Sequence, residues 1–460
     1  MHFVEKSIAL LGLGLETTDI LHWLSQHSQN CSITVFDQKS KSDLADFLIN
    51  LPDNLKLNFS LGSGYLKPGL SQFDFIFRSP GFHRLHPDLL TAQQKGVKIL
   101  SATKLFFQFC PCPIIGVTGT KGKGTTTTLI ANILKASDQT AYVAGNIGQS
   151  PLKLLDHLKS SDWVCLELSS FQLQDLTTSP HLAVVLNITS EHLDMHQTVN
   201  EYRQAKVNLV RFQTKKDLAV INADYPFARS LAKTTPAQVY WFSRFKRVLG
   251  GYVQKKRLYL KLRGQPILIG STEKLKLKGQ HNWENIIAGI TAARLAGASI
   301  PAIKKAVYDF KGLEHRLELV KAVAGVEYYN DSFSTTPETA IAAIKSFSQP
   351  TILILGGSDK GSDYSRLGQT IVTSLYLKAI ILIGQMAQNI QAAINRTGRC
   401  PCPIIKGLTD MKSIVIKASH LAQPGSVVVL SPACASFDMF KNYKDRGLQF
   451  KQAVKQIKKS

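Results

Sequence analysis

The chain is short of acidic residues: 32 Asp and Glu stand against 55 Lys and Arg, for a formal charge of +23. Such an imbalance suits a polyanionic ligand, either a nucleotide or a nucleic acid. The basic residues are nevertheless spread along the sequence, apart from a short tail from Lys451 to Lys459. An RNA-stacking aromatic motif and a helix-turn-helix signal are both missing, so a general solvated basic surface is the preferred reading and no nucleic-acid partner is expected. No apolar run is long enough to span a bilayer, and no membrane insertion is expected. The opening segment Ser7 to Leu15 reads as a buried strand with its turn rather than a secretion signal. Glu16 and Asp19 follow it at once, and no small-residue cleavage site appears.

Cysteines are few and odd in number, seven in all. Scattered through a large chain, they argue against a disulfide framework and for a reducing, cytoplasmic compartment. Cys110-Pro111-Cys112 and Cys400-Pro401-Cys402 each precede an apolar strand start. With no clustered His or Cys to complete four metal ligands, they read as buried or idle thiols. Low-complexity segments and short repeats are not found.

What is present is a globular composition, 44% hydrophobic, on a chain of 460 residues, too long for one core. Ile8–Leu11, Ile33–Phe36 and Phe73–Phe77 are apolar strands separated by helical spacing over about 17–28. Asp37 and the turn Ser79-Pro80-Gly81 close the second and third of them. A second strand–loop–helix series runs through Ile114–Val117, Trp163–Leu166 and Ala183–Leu186, and a third through Thr351–Leu355, Ala379–Ile383 and Ser426–Leu430. Between them, Ala237 to Lys278 has the short alternation of a small antiparallel insertion. The expectation is α/β with three domains: 1–102 with a Rossmann-like sheet, 103–312 with a central parallel sheet and the insertion, and 313–460 with another Rossmann-like sheet.

The strongest local signal is Gly116-Val117-Thr118-Gly119-Thr120-Lys121-Gly122-Lys123-Gly124-Thr125-Thr126. It follows a strand and precedes the helical run Leu129, Ile130, Ile133 and Leu134. Glycines let backbone N–H groups converge on phosphate oxygens, Lys123 supplies a point charge, and the helix N-terminus adds its partial charge. Gly124 stands where a hydroxyl residue is usual, leaving Thr125 as the nearest hydroxyl for Mg²⁺. The pair Gly12-Leu13-Gly14 lacks the third glycine of a dinucleotide fingerprint, and alone leaves nucleotide binding at even odds. Glu167 and the segment Glu191-His192-Leu193-Asp194 lie beyond strand ends, where ligands bind in such sheets, and their oxygen and imidazole groups suit Mg²⁺ shared with ATP.

Taken together these pieces resemble the Mur ligase family along nearly the whole chain. The likeness rests on Gly119–Lys123, Leu166–Leu173, Asn187–Asp194, Glu201–Lys206, Gly279–Asn282 and His315–Glu318. It extends to Asn330–Thr335, Gly356–Tyr364 and Leu430–Gly447, in the manner of the glutamate-adding members. The resemblance implies an ATP-dependent ligase of peptidoglycan precursor synthesis that adds D-glutamate to UDP-N-acetylmuramoyl-L-alanine through an acyl phosphate. It implies a first domain for the UDP-sugar, a central one for ATP and a last one for glutamate. ATP would lie on Gly119, Thr120, Lys121, Gly122, Lys123, Gly124, Thr125 and Thr126, with Asn282, Arg316 and Asp331. The sugar nucleotide would lie on Leu15, Asp37, Ser79 and Gly81, with Asn146, Ser169, Gln172 and His192 farther along. Glutamate would meet Thr335, Lys360, Ser436, Phe437 and Tyr443. Two Mg²⁺ sites are implied, drawn from Thr125, Glu167, His192 and a carbamylated Lys206, and Lys123, Lys206, His192, Arg316 and Glu167 would be catalytic. A monomer is expected. Three other readings stay open at this point: a folate-type glutamate ligase, a basic P-loop NTPase acting on nucleic acid, and a non-catalytic nucleotide-binding relative. Lys121, Gly124 and Gln38-Lys39 depart from the family pattern.

Overall fold

The computed structural model describes residues 3–189, 198–277, 279–359 and 361–457. The chain divides into two compact units, one of residues 1–275 and 280–309, the other of 276–279 and 310–460.

The first unit holds a five-stranded and a nine-stranded sheet, besides a short two-stranded pairing of Phe3–Val4 with Ser28–Gln29. Apolar runs bounded by turn residues form β1 (Ser7–Leu11), β2 (Ser32–Asp37), β3 (Leu57–Leu61), β4 (Phe75–Arg78) and β5 (Lys98–Leu100). All pair in parallel in the order β3-β2-β1-β4-β5. The order reverses between β1 and β4, so a crevice opens beyond their carboxyl ends, where such sheets bind ligands. The helix α1 (Leu15–His27) buries Ile20, Leu21, Trp23 and Leu24 against the sheet.

The second sheet of this unit has nine strands. They are β6 (Ile114–Thr118), β7 (Ala141–Gly145), β8 (Trp163–Glu167), β9 (Leu182–Val185), β10 (Leu218–Asn222), β11 (Gln238–Ser243), β12 (Gly250–Gln254), β13 (Arg257–Lys261) and β14 (Ile267–Ser271). Their order is β14-β13-β12-β11-β10-β9-β6-β8-β7. β6, β8 and β9 are buried almost throughout, as expected for central parallel strands covered on both faces. Three helices position the site: α2 (Lys123–Ala136), α3 (Val199–Arg211) and α4 (His281–Leu295). The stretch from Ala237, expected to be a small antiparallel insertion, forms the outer strands of this sheet, and its last three strands are antiparallel. β11 still runs parallel to β10, and the direction reverses only at the pairs β12–β13 and β13–β14. Alternating burial reports which side of a strand is covered, but strand direction is set by the neighbour it pairs with.

In the second unit, β15 (Glu318–Val323), β16 (Val326–Asn330), β17 (Thr351–Gly356), β18 (Leu377–Ile383), β19 (Ile404–Ile405) and β20 (Val427–Leu430) form a sheet ordered β15-β16-β20-β17-β18-β19. Only the β15–β16 pair is antiparallel. One apolar cluster lies on each face, around Leu353 and Leu355 on one side and Ile352 and Ile354 on the other. The helix α5 (Tyr443–Gln456) carries Phe450 and Val454 into the second cluster. The protein is thus mixed α/β, with sheets dominated by parallel pairing. No helix among the described residues is long and apolar enough to cross a membrane.

Candidate active site

The loop between β6 and α2 is held from three sides. Thr120 N–H donates to the Asn187 carbonyl at 2.6 Å and Lys121 N–H to Asn187 Oδ1 at 2.9 Å. The hydroxyls of Thr120 and Tyr202 lie 3.0 Å apart. Gly122 has φ of +85°, and a Cβ there would stand 2.0 Å from Asn285 Oδ1. Only glycine therefore lets the first turn of α4 approach the loop this closely. Asn285 in turn donates to Asn282 Oδ1 at 2.9 Å, one helical turn away on the same face. At α4 burial raises the Glu284 pKa, against the pull of Arg244, whose Nε lies 3.3 Å away. His281, the first residue of the helix, is held below the usual imidazole range by burial and by the cations Arg244 and Lys121.

Two lysine amines converge on the same loop. Lys123 Nζ donates to the carbonyls of Gly119 and Thr120, each at 3.0 Å. Lys206, on α3, is 1% exposed, and its Nζ donates to Thr118 Oγ1 at 3.2 Å and the Gly119 carbonyl at 3.0 Å. Its amine also sits 4.7 Å from the centre of the Tyr202 ring. Glu167, the last residue of β8, accepts from Asn146 Nδ2 at 3.1 Å through Oε1, while its buried Oε2 has no hydrogen-bond partner among the described residues. A buried carboxylate oxygen without a donor is costly unless a cation faces it, and oxygen donors of this kind fit Mg²⁺. The Thr126 hydroxyl is buried without a partner too, and Thr125 is 9% exposed. His192 lies outside the described residues.

Two cavities open on these groups. One of about 550 Å³ lies at the crevice of the first sheet, lined by Gly12–Thr17, Asp37–Lys39, Tyr65 and Ser79–His83. It gathers Leu15, Asp37, Ser79 and Gly81. The Asp37 carboxylate is already engaged by the backbone N–H groups of Leu13 (2.7 Å) and Lys39 (2.8 Å), so it shapes the floor of the cavity. The second, about 240 Å³, is lined by Lys123, Asn146, Ser169, Gln172, Tyr202 and Lys206. Glu16 and Pro80 belong to both. Burial raises the Glu16 pKa, opposed by the hydrogen bond from Gln172 Nε2 at 3.2 Å. The buried Arg78–Asp175 ion pair ties the end of β4 to the segment after Gln172 and so holds the two cavities in register.

In the second unit, Arg316 sits between two residues in the left-handed region, His315 (φ +64°) and Leu317 (φ +42°), with its guanidinium 3.8 Å from the centre of the Phe333 ring. Such backbone is costly for non-glycine residues and persists where the surroundings enforce it. Asp331 accepts from Leu317 N–H at 3.1 Å and from Ser431 Oγ at 2.8 Å, and burial pushes its pKa up to about 7. Tyr443 packs edge-on against Phe333 and His315. Ser436 is buried, whereas Phe437 is largely exposed and its N–H donates to Ser358 Oγ at 3.2 Å. The expected glutamate residues are therefore in two groups, Tyr443 with the Arg316–Phe333 cluster and Ser436–Phe437 beside Ser358. Thr335 lies in the turn before the helix Pro337–Ile344, and Lys360 falls outside the described residues. Glu314, His315 and Glu318 are spaced like metal ligands, but Lys451 already bridges Glu314 (2.8 Å) and Glu318 (2.6 Å).

Sequence reasoning missed Glu16, Asn187, Tyr202, Arg244 and Asn285. Of these, Asn187 and Tyr202 lie inside segments singled out above for other residues, and Asn285 lies one helical turn beyond Asn282; Glu16 and Arg244 had no such signal.

Comparison with known proteins gives the family. The Mur ligase middle domain matches residues 117–293, and the Mur ligase glutamate ligase domain matches residues 315–434. The chain is 39% identical to the UDP-N-acetylmuramoylalanine–D-glutamate ligase of Acetivibrio thermocellus, over 98% of this chain and 97% of that one. It is 37% identical to the protein of the same name from Symbiobacterium thermophilum, over 99% of each. Among solved structures it resembles the UDP-N-acetylmuramate-alanine ligase of Thermotoga maritima, with TM-score 0.59 and 16% identity over 98% of this chain and 100% of that one. MurF from Acinetobacter baumannii is similar in the same way, with TM-score 0.59 and 15% identity over 92% and 89%. These two likenesses concern the fold. The chain belongs to the Mur ligase family. The two relatives just given, like one from Clostridium tetani at 35% identity over 98% of this chain and 97% of that one, are named for D-glutamate addition.

Proposed function

We propose that this chain is an ATP-dependent ligase that adds D-glutamate to UDP-N-acetylmuramoyl-L-alanine in peptidoglycan precursor synthesis. The observation that carries the reading is the wall shared by the two cavities, Glu16 and Pro80. It lets one extended ligand reach from the crevice of the first sheet to the amines of the phosphate loop. On this reading residues 1–102, 103–312 and 313–460 act as a Rossmann-like UDP-sugar domain, a P-loop ATP domain and a Rossmann-like glutamate domain. The enzyme works as a cytoplasmic monomer.

Amide formation from a free carboxylate is unfavourable in water, so the carboxylate oxygen must first become a good leaving group. The substrate carboxylate attacks the γ-phosphorus of ATP, ADP leaves, and the acyl phosphate is then attacked by the glutamate amine with loss of phosphate. Lys123 and Arg316 neutralise charge on the transferring phosphoryl group. Asn282 and Asp331 hold the nucleoside. Thr335, Lys360, Ser436, Phe437 and Tyr443 receive glutamate. Glu167 and Thr125 would hold one Mg²⁺, and His192 with carbamylated Lys206 a second. Bound there, Mg²⁺ would supply positive charge to phosphoryl transfer.

The test is phosphate release from ATP with UDP-N-acetylmuramoyl-L-alanine and D-glutamate, L-glutamate or no amino acid. Release that needs both the sugar nucleotide and the D enantiomer is expected. Equal release with L-glutamate, or release without the sugar nucleotide, would overturn the reading. Lys206→Ala should abolish activity, with partial rescue by short carboxylic acids that replace the carbamate.

A further inference from the structure

The hexapeptide Cys-Pro-Cys-Pro-Ile-Ile occurs twice in the chain, at residues 110–115 and 400–405, an internal repeat that the sequence reading passed over. Neither cysteine pair lines either cavity. Both copies are built alike within their own units. The second proline sits at the start of a parallel strand and offers its carbonyl to the neighbouring strand: Val164 N–H to Pro113 at 3.3 Å, Ile380 N–H to Pro403 at 3.0 Å. The two cysteines are thereby left just outside the ladder, on either side of a proline whose ring fixes φ. Their sulfurs lie 3.6 Å apart in the first copy and 4.0 Å in the second.

Cys110 is partly exposed, and its N–H caps the helix Ala102–Phe109 through the Phe106 carbonyl; Cys112 is 7% exposed. Among the described residues, no cysteine belongs to a group of three or more metal-type ligands, so neither pair has the partners a zinc site needs. A partly exposed thiol next to a second, more protected one is the arrangement of an attacking and a resolving cysteine. We propose that Cys110 and Cys112 are a redox-modifiable dithiol, closed to an intramolecular disulfide by exchange with a low-molecular-weight disulfide, and that Cys400 and Cys402, both partly exposed, form a second such dithiol. The hydrogen bond between the first two sulfurs acts in the same sense, holding the Cys110 thiol below its ordinary range and pushing that of Cys112 up.

The Cys110 thiolate attacks one sulfur of the reagent, breaks its S–S bond and expels one thiolate, which takes up a proton. The Cys112 thiol then loses its proton and attacks the Cys110 sulfur, expelling the second reagent thiolate. Two cysteine thiols are oxidised by two electrons in all, and one reagent disulfide is reduced to two thiols. A ring closed over a single proline is strained, so the bond belongs with the labile, reversible disulfides rather than the structural ones.

The full chain is treated with glutathione disulfide, remaining thiols are alkylated, and tryptic peptides are weighed. Peptides 105–121 and 400–406 each contain one complete pair. Both are expected unalkylated and lighter by two hydrogen atoms, and restored by dithiothreitol, while the partly exposed Cys31 gives at most a glutathione adduct. Cys112→Ser should stop the first peptide at a stable adduct on Cys110. Full alkylation of both pairs after exhaustive treatment, permanent adducts in the unsubstituted chain, or cross-links between different peptides would overturn the proposal.

Discussion

Two buried charged groups, one in each unit, are treated in opposite ways. In the second, Arg446 has no exposed surface, and its guanidinium donates to Ser332 Oγ and to the carbonyls of Ser332, Cys434 and Ala435 at 2.9–3.1 Å. All of its partners belong to the protein, so it braces the loops after β16 and β20 against α5. In the first, Glu167 leaves one carboxylate oxygen without a partner, and Lys123 leans on carbonyls of its own loop. A satisfied buried charge is scaffolding, whereas an incompletely satisfied one is poised for something that arrives later.

The contrast can be broken at its ends. Glu167→Gln keeps the hydrogen bond to Asn146 within reach but removes the charge. It should lower kcat by roughly 10²–10³-fold, the scale of losing one electrostatic contact to a transition state, with little change in Tm. A comparable loss in Tm would make Glu167 a scaffold residue after all. Arg446→Met should do the reverse. It leaves the buried carbonyls of Ser332 and Cys434 without a donor, at about 1–3 kcal/mol each, so stability should fall by roughly 2 kcal/mol or more in denaturant unfolding. An unchanged unfolding midpoint would remove Arg446 from the scaffold.

Asp331 sharpens the comparison with a smaller, pH-dependent effect. Its folded pKa of about 7 lies above the ordinary aspartate value of 3.8. Between these values the folded chain keeps a proton that the unfolded chain has released, so stability falls as pH rises through that window. The total is of order a few kcal/mol. Asp331→Asn should flatten the stability profile between pH 4 and 7, as followed by Tm across the range. A profile as steep as that of the unsubstituted chain would place the proton elsewhere.

Much of the architecture was legible because buried parallel strands are continuous apolar runs. Ile114–Val117, Thr351–Leu355 and Ala379–Ile383 each became a strand within a residue or two. The phosphate loop was legible for a related reason, since its glycines, lysine and helix start are adjacent in sequence. In the outer half of the nine-stranded sheet the antiparallel strands were legible, but the parallel β11 was not, because its direction depends on β10, which the local pattern does not encode. Glu16, Asn187 and Tyr202 were missed for a similar reason. Tyr202 reaches Thr120 only because α3 packs over the end of β6, across 82 positions of chain. The doubled Cys-Pro-Cys segment was different in kind: both copies were fully visible in the sequence, but they were weighed only as metal ligands or idle thiols.

The wall of Glu16 and Pro80 has one more consequence. On the proposed reading, because the crevice of the first sheet and the phosphate loop meet there and the Arg78–Asp175 pair ties the two together, the cleft would work as a gauge of length. A ligand held in the crevice would deliver its far end to Lys123 only if the distance between its two ends were right. One missing or extra building block would leave that end short of the amines or past them, however well the anchor fits.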